Sequence, residues 1–143
     1  MAITSAVCTS FKVELLKGIH NFTASSGDTF KLALYTSDAS LGAATTAYTT
    51  SNEVSGSGYT AKGNTLTSVT PVASSTTAVC DFSDTSFTSA SFTARGCMIF
   101  NEDATGDPAC VIIDFGSDKT VTSGTFTIQF PTADASNAII RIA

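Results

Sequence analysis

Residues 92–115 read FTARGCMIFNEDATGDPACVIIDF, and this stretch decides the fold class. In its first part Phe92, Ala94, Gly96, Met98 and Phe100 fall on one side of an extended chain, the period of two expected of a strand. Asn101 to Pro108 then gathers Asn, Asp, Gly and Pro, residues that each turn a backbone for a different physical reason. Residues 109–115 follow as a nearly unbroken apolar run, as in a strand covered on both faces. Two strands about one strong turn make an antiparallel hairpin.

The pattern continues in both directions. Downstream, residues 125–130 (TFTIQF) alternate, with Phe126, Ile128 and Phe130 expected inward, and residues 138–142 close the chain as a last strand. Upstream, residues 29–36 (TFKLALYT) put Phe30, Leu32 and Leu34 on one face and Lys31, Ala33 and Tyr35 on the other. Residues 38–51 are small and polar, a long connection. The glycine-rich 54–63 reads as a turn into a strand over 64–72, and short strands are expected at 78–82 and 86–88, broken at Ser83-Asp84. One segment alone reads as a helix, residues 9–17. Phe11, Leu15 and Leu16 form its stripe, Thr9 or Ser10 its N-cap, and Gly18 its left-handed end with Ile19 as the following apolar contact.

Strands recurring every 8–15 residues or so predict an all-β protein, a β-sandwich of jelly-roll-like type with one short N-terminal helix, an open barrel being the alternative. The chain of 143 residues carries neither an internal repeat nor a linker, so residues 1–143 are expected to form one domain. Residues 1–8 (MAITSAVC) suit either an N-terminal arm or an ordinary edge strand.

Composition agrees. There are 24 Thr, 19 Ser and 10 Phe against six Leu and 19 charged residues, a balance that suits pleated sheet better than helix. Apolar blocks along most of the chain set it apart from a disordered Ser/Thr tract. The net charge of −5, with seven Lys and Arg scattered singly, offers no basic stripe for nucleic acid and no polybasic patch for a membrane. No apolar run approaches a membrane span, and the first ten residues do not read as a leader, so a cytoplasmic site of folding is expected. Cys8, Cys80, Cys97 and Cys110 lack the spacing of a zinc site. Three disulfide pairings are conceivable; free, partly buried thiols are expected.

Constellations that carry chemistry are sparse, and no catalytic, cofactor-binding or metal-binding residue is assigned. His20 is the single histidine, so any Ser–His or Cys–His chemistry would need it. The plainer reading is a surface or capping histidine whose replacement leaves folding intact. Glu102, Asp103 and Asp107 share a loop able to hold a hard cation or flank a sugar, yet their spacing is not that of a calcium loop. Residues 56–63 match no phosphate-binding motif, Asp114-Phe115-Gly116 stands without companion motifs, and Asn21-Phe22-Thr23 spells a glycosylation acceptor. Tyr35, Tyr48 and Tyr59 could form an aromatic platform for sugar, weakened by the absence of Trp.

Five stretches together resemble a family of small virion structural proteins of tailed bacteriophages, especially phages of marine and cyanobacterial hosts. They are ELLKGIHNF (14–22), DTFKLALYTSDA (28–39), AYTTSNEVSGSGYTAKGNTL (47–66), FTARGCMIFN (92–101) and the tail from 111 to 143, VIIDFGSDKTVTSGTFTIQFPTADASNAIIRIA. The resemblance covers most of the chain in the expected order. It implies a particle component without enzymatic activity or cofactor, assembled in the host cytoplasm and located in the virion. Similar proteins are described as head decoration or as tail-associated. A decoration or cement protein would have the major capsid protein and copies of itself as partners. A tail, baseplate or fibre component, or a carbohydrate-binding module, is the alternative. Within EVSGSGY, Gly56 and Gly58 are read as serving a tight turn with positive φ.

Overall fold

The computed structural model describes residues 2–143. It is all-β, two antiparallel sheets with one short helix. The elements run β1 (Ala6–Val7), α1 (Thr9–Leu16), β2 (Phe30–Tyr35), β3 (Asn64–Thr65), β4 (Ser68–Ser74), β5 (Thr77–Phe82), β6 (Thr85–Asn101), β7 (Ala109–Ile128) and β8 (Ile140–Ile142). A five-stranded sheet has the order β1-β7-β6-β2-β3, and a three-stranded sheet the order β4-β5-β8.

The hairpin read from residues 92–115 is the spine of the large sheet, and it is far longer than expected. The pieces 86–88 and 92–100 join into the 17-residue β6, and 109–115 and 125–128 join into the 20-residue β7. Between these pieces the chain bends in bulges instead of turns. Ser89 and Ser123 take positive φ where the register shifts, with Phe87 opposite Phe126 and Phe92 opposite Val121 on either side. Further along, Ala94 faces Lys119 while Gly96 faces Asp114, so β7 advances five residues for two on β6 and carries three extra. The expected strand at 64–72 divides as well: β3 stays with the large sheet at Lys31 and Leu32, whereas β4 pairs with β5 in the small one.

In the central strands burial extends beyond the alternating face. Phe30, Leu32 and Leu34 are fully buried, but so are Ala33 and Tyr35 on the opposite face. That second face is covered by the long connection over residues 36–63, as the Tyr35 hydroxyl donating to Thr49 O at 2.7 Å shows. Aromatic rings join the sheets: Phe22 stacks on Phe30 at 4.2 Å, and Phe82 from β5 sits 6.0 Å from Phe30 and 5.5 Å from Phe130. Phe126, Ile128 and Phe130 are only partly buried and not fully inward, because the narrow sheet leaves that flank of the wide one uncovered.

The helix ends as read but begins and docks otherwise. Gly18 takes φ 71°, and its N–H bonds Leu15 O while the N–H of Ile19 bonds Glu14 O, a Schellman ending. The N-cap is Cys8, with no side-chain cap; the Thr9 N–H is satisfied instead by Ala43 O at 2.9 Å. Of the expected stripe only Phe11 is buried, and Leu16 is 92% exposed. Five residues at 3.6 per turn place Leu16 about 140° around the helix from Phe11, too far for one docking face to cover both.

Residues 2–8 form the edge-strand alternative and not a free arm; Met1 lies outside the described residues. Ile3 is buried and bridges Leu41, β1 pairs with Val111 and Ile112 of β7, and Cys8 is fully buried. The arm reading is therefore corrected.

Candidate functional site

The polar residues with chemical potential fall into two clusters. The first surrounds Glu53. Its Oε1 accepts from the Tyr48 hydroxyl at 2.6 Å, and its Oε2 accepts from the Tyr59 hydroxyl at 2.6 Å and the Lys62 N–H at 2.8 Å. Tyr59 Oη also accepts from the Leu34 N–H at 2.9 Å, which ties the cluster to β2. The Tyr59 ring lies 5.6 Å from Phe87 and 5.9 Å from Phe92, so residues 53–62 form a strap across β6.

That strap explains the glycines of EVSGSGY. Gly58 takes φ 79°, as the sequence suggests, and a Cβ there would lie 2.7 Å from Ala90 Cα; at Gly56 it would lie 2.4 Å from Ser91 O. The backbone touches β6 directly, with the Ser91 N–H bonding Ser57 O at 3.0 Å, and a side chain would hold it off. Close approach is thus as important as the positive φ.

The strap continues into the carboxylate loop. Lys62 Nζ donates to Asp107 Oδ2 at 2.8 Å and to Glu102 Oε1 at 3.4 Å, and lies 5.6 Å from the Tyr48 ring centroid. The hydrogen bond it donates to Asp107 raises the pKa of the Lys62 amine. Asp103 accepts from the Thr29 N–H at 2.5 Å. Glu102 and Asp107 thus share Lys62, Asp103 holds the Thr29 N–H, and the three form no common cage. Among the described residues, no group of three or more His, Cys, Asp and Glu side chains is placed to hold a metal ion.

The second cluster centres on His20, whose side chain has no exposed surface, so the surface or capping reading is corrected. Its Nε2 lies 2.9 Å from Glu14 Oε1 and its Nδ1 3.0 Å from Asn101 Nδ2. Asn101 Oδ1 accepts from the N–H groups of Asp103 and Ala104, which assigns Nδ2 as the atom facing His20. His20 Nδ1 is then the acceptor, and Nε2 carries the proton donated to Glu14. Asn101 Nδ2 also donates to Asp28 Oδ2 at 2.8 Å. The ring packs 4.8 Å from Phe11 and 6.2 Å from Phe30. A Glu–His pair with a fixed tautomer has the parts of a general base, but its acceptor nitrogen is engaged by Asn101. His20→Ala should cost about 2–4 kcal/mol in urea unfolding, through the cavity and the unpaired Asn101 and Glu14. A loss under about 0.5 kcal/mol, the range of ordinary surface changes, would mean the network is dispensable.

The other candidates have local roles. The tyrosines form no exposed row, because Tyr35 is buried and the hydroxyls of Tyr48 and Tyr59 are held by Glu53. Asp114 Oδ1 accepts from the Gly116 N–H at 3.0 Å and Arg95 Nε at 2.9 Å, which pins the β7 bulge and lowers the Asp114 pKa. Asn21 Oδ1 accepts from the Thr23 N–H at 3.0 Å.

All four cysteines are free thiols: Cys8, Cys97 and Cys110 are buried and Cys80 is partly so. Burial pushes Cys8 and Cys80 up to about 11, Cys97 to about 12 and Cys110 further. Burial also raises Tyr35, Tyr48 and Tyr59 well above the ordinary phenol range. A thiol or phenol with a raised folded pKa contributes stability that is complete below its unfolded pKa and declines as pH rises toward the folded value. Urea stability should therefore fall from about pH 8.5 upward, where unfolded thiols ionise, and more steeply above about pH 10, where phenols join them. Stability constant from pH 8 to 11 would contradict this burial.

No protein-family model, curated protein or solved structure matches this chain. No helix among the described residues is long and apolar enough to cross a membrane. What sequence reading misses is an apolar surface beside α1. Leu16 is 92% exposed, Val13 49% and Ile142 57%. Leu16 and Ile142 border a groove of about 500 Å³ floored by Phe11, Leu15 and Ile140. The only signal for it is the angular spread of Phe11 and Leu16, which no single covered face accommodates.

Proposed function

We propose that this protein is a structural component of a tailed-bacteriophage virion, a head decoration protein that binds the major capsid protein on the outside of the assembled shell. The resemblance of its five segments to such proteins motivates the reading. The observation that carries it is the contrast between two kinds of surface. The polar clusters at Glu53 and His20 are closed by internal hydrogen bonds, while Leu16 and Ile142 stand in solvent at the α1 groove. Exposed apolar residues grouped around a groove are characteristic of a protein–protein contact. Rigid straps and bulged strands suit a module that holds its shape while bound, without chemistry of its own.

On a shell, modest contacts from each copy gain through multivalency, and a ligand that recognises only the assembled state stabilises it by mass action. The test is stoichiometry against the major shell protein in purified particles, together with heat release of DNA from heads lacking this protein. Copy numbers comparable with the shell protein and earlier DNA release from bare heads are expected. A few copies confined to tails would replace decoration with a tail or baseplate role. Leu16→Asp should weaken attachment about tenfold or more, as for a central interface anchor, and leave the fold intact because Leu16 is exposed.

A further inference from the structure

A second apolar groove is built on β7 and the segment that follows it. Along the outer edge of β7, β1 pairs only at Val111 and Ile112, and Ser5 Oγ takes the Asp114 N–H at 2.8 Å. From Phe115 to Ile128 no strand among the described residues pairs with the outer side of β7. The small sheet, being three strands wide, leaves this side of the large sheet open. The result is a groove of about 510 Å³ lined by Ile113, Phe115, Phe126, Ile128, Phe130 and Ile139. Each of these six is partly exposed, although each packs on the core.

The three-residue bulge of β7 shapes this groove. It carries Phe115 to 6.3 Å from Phe126, and Arg95 holds it through Asp114 at 2.9 Å and Asp118 at 3.9 Å. Lys119 is the one charged residue in the lining; it is exposed and makes no ion pair among the described residues. Arg95, the nearest other cation along the strands, is already engaged by two carboxylates. In a chain of net charge −5, a single free cation at an aromatic groove selects for one negative charge on an apolar body. The volume falls within the range of small-molecule sites, which combine an apolar lining with a few orienting polar groups.

We propose that this groove binds a small amphipathic anion, a medium-chain carboxylate whose hydrocarbon part lies between Phe115, Phe126 and Phe130 and whose carboxylate meets Lys119. This is independent of the virion reading, since it concerns the isolated protein.

The experiment is titration of the full chain with dodecanoate, below its micelle concentration, followed by calorimetry and by methyl and aromatic NMR. Saturable one-to-one binding is expected, with shifts confined to Ile113, Phe115, Phe126, Ile128 and Ile139. Lys119→Glu should weaken dodecanoate roughly fivefold, the scale of one exposed charge contact, and leave dodecanol unaffected. Three results would overturn the proposal: no saturable binding, shifts centred on Leu15 and Ile140 of the α1 groove, or equal dodecanoate affinity in Lys119→Glu. Self-association of the free protein that shields Phe115 and Phe126 and resists dodecanoate would overturn it too, in favour of a second copy as the occupant.

Discussion

Glu53→Ala should lower unfolding stability by about 3–5 kcal/mol, because it orphans three donors at once. The hydroxyls of Tyr48 and Tyr59 and the Lys62 N–H all converge on this one carboxylate. Water can reach Tyr48 more readily than Tyr59, whose ring lies between Phe87 and Phe92, so most of the loss arises at Tyr59 and the Lys62 amide. Glu53→Gln keeps the volume and one acceptor oxygen and should cost roughly half as much, with a side-chain N–H left facing a phenol. Chemical unfolding of the two variants checks this, and hydrogen exchange should show residues 53–62 losing protection before β6. A Glu53→Ala loss below about 1 kcal/mol would mean that the strap is held by its backbone contacts and not by the carboxylate.

Phe30→Ala should cost about 3–5 kcal/mol, the range for a fully buried aromatic. Phe30 has no exposed surface and touches four parts of the fold through Phe22, Phe82, His20 and the large sheet. The stacked contact with Phe22 at 4.2 Å adds about 0.5–1.5 kcal/mol beyond burial alone. Its truncation leaves a cavity where the sheets meet, so guanidinium unfolding should remain cooperative while its midpoint drops. Phe126→Ala, on the open flank, is the comparison: Phe126 is partly exposed and should cost clearly less. If the two losses were equal, the small sheet would cover the β7 flank as fully as it covers Phe30, and the groove there would be closed.

The sequence by itself determined the fold class, the position of most strands, the single helix and the hairpin turn. Each of these is set by local physics. Period-two alternation marks residues 92–100 and 29–36 as strands, and Asn101 to Pro108 turns the chain whatever surrounds it. Gly18 ended the helix because a left-handed residue is a local requirement. Only the tertiary structure decided which breaks became turns and which became bulges. Ser89 and Ser123 bend in either case, but two long strands lying side by side turn the bend into a register shift. It also decided the fate of the polar groups. Nothing near His20 in sequence announces Asn101, 81 positions away, and nothing near Lys62 announces Asp107, 45 positions away. Hydrogen bonds between residues so far apart exist only once the sheets have formed, and burial of His20 depends on Phe11 of α1 and Phe30 of β2 closing on its ring. The open flank of β7 has the same origin. A strand's own sequence specifies its apolar face, whereas the width of the sheet that comes to cover it is a property of the whole chain.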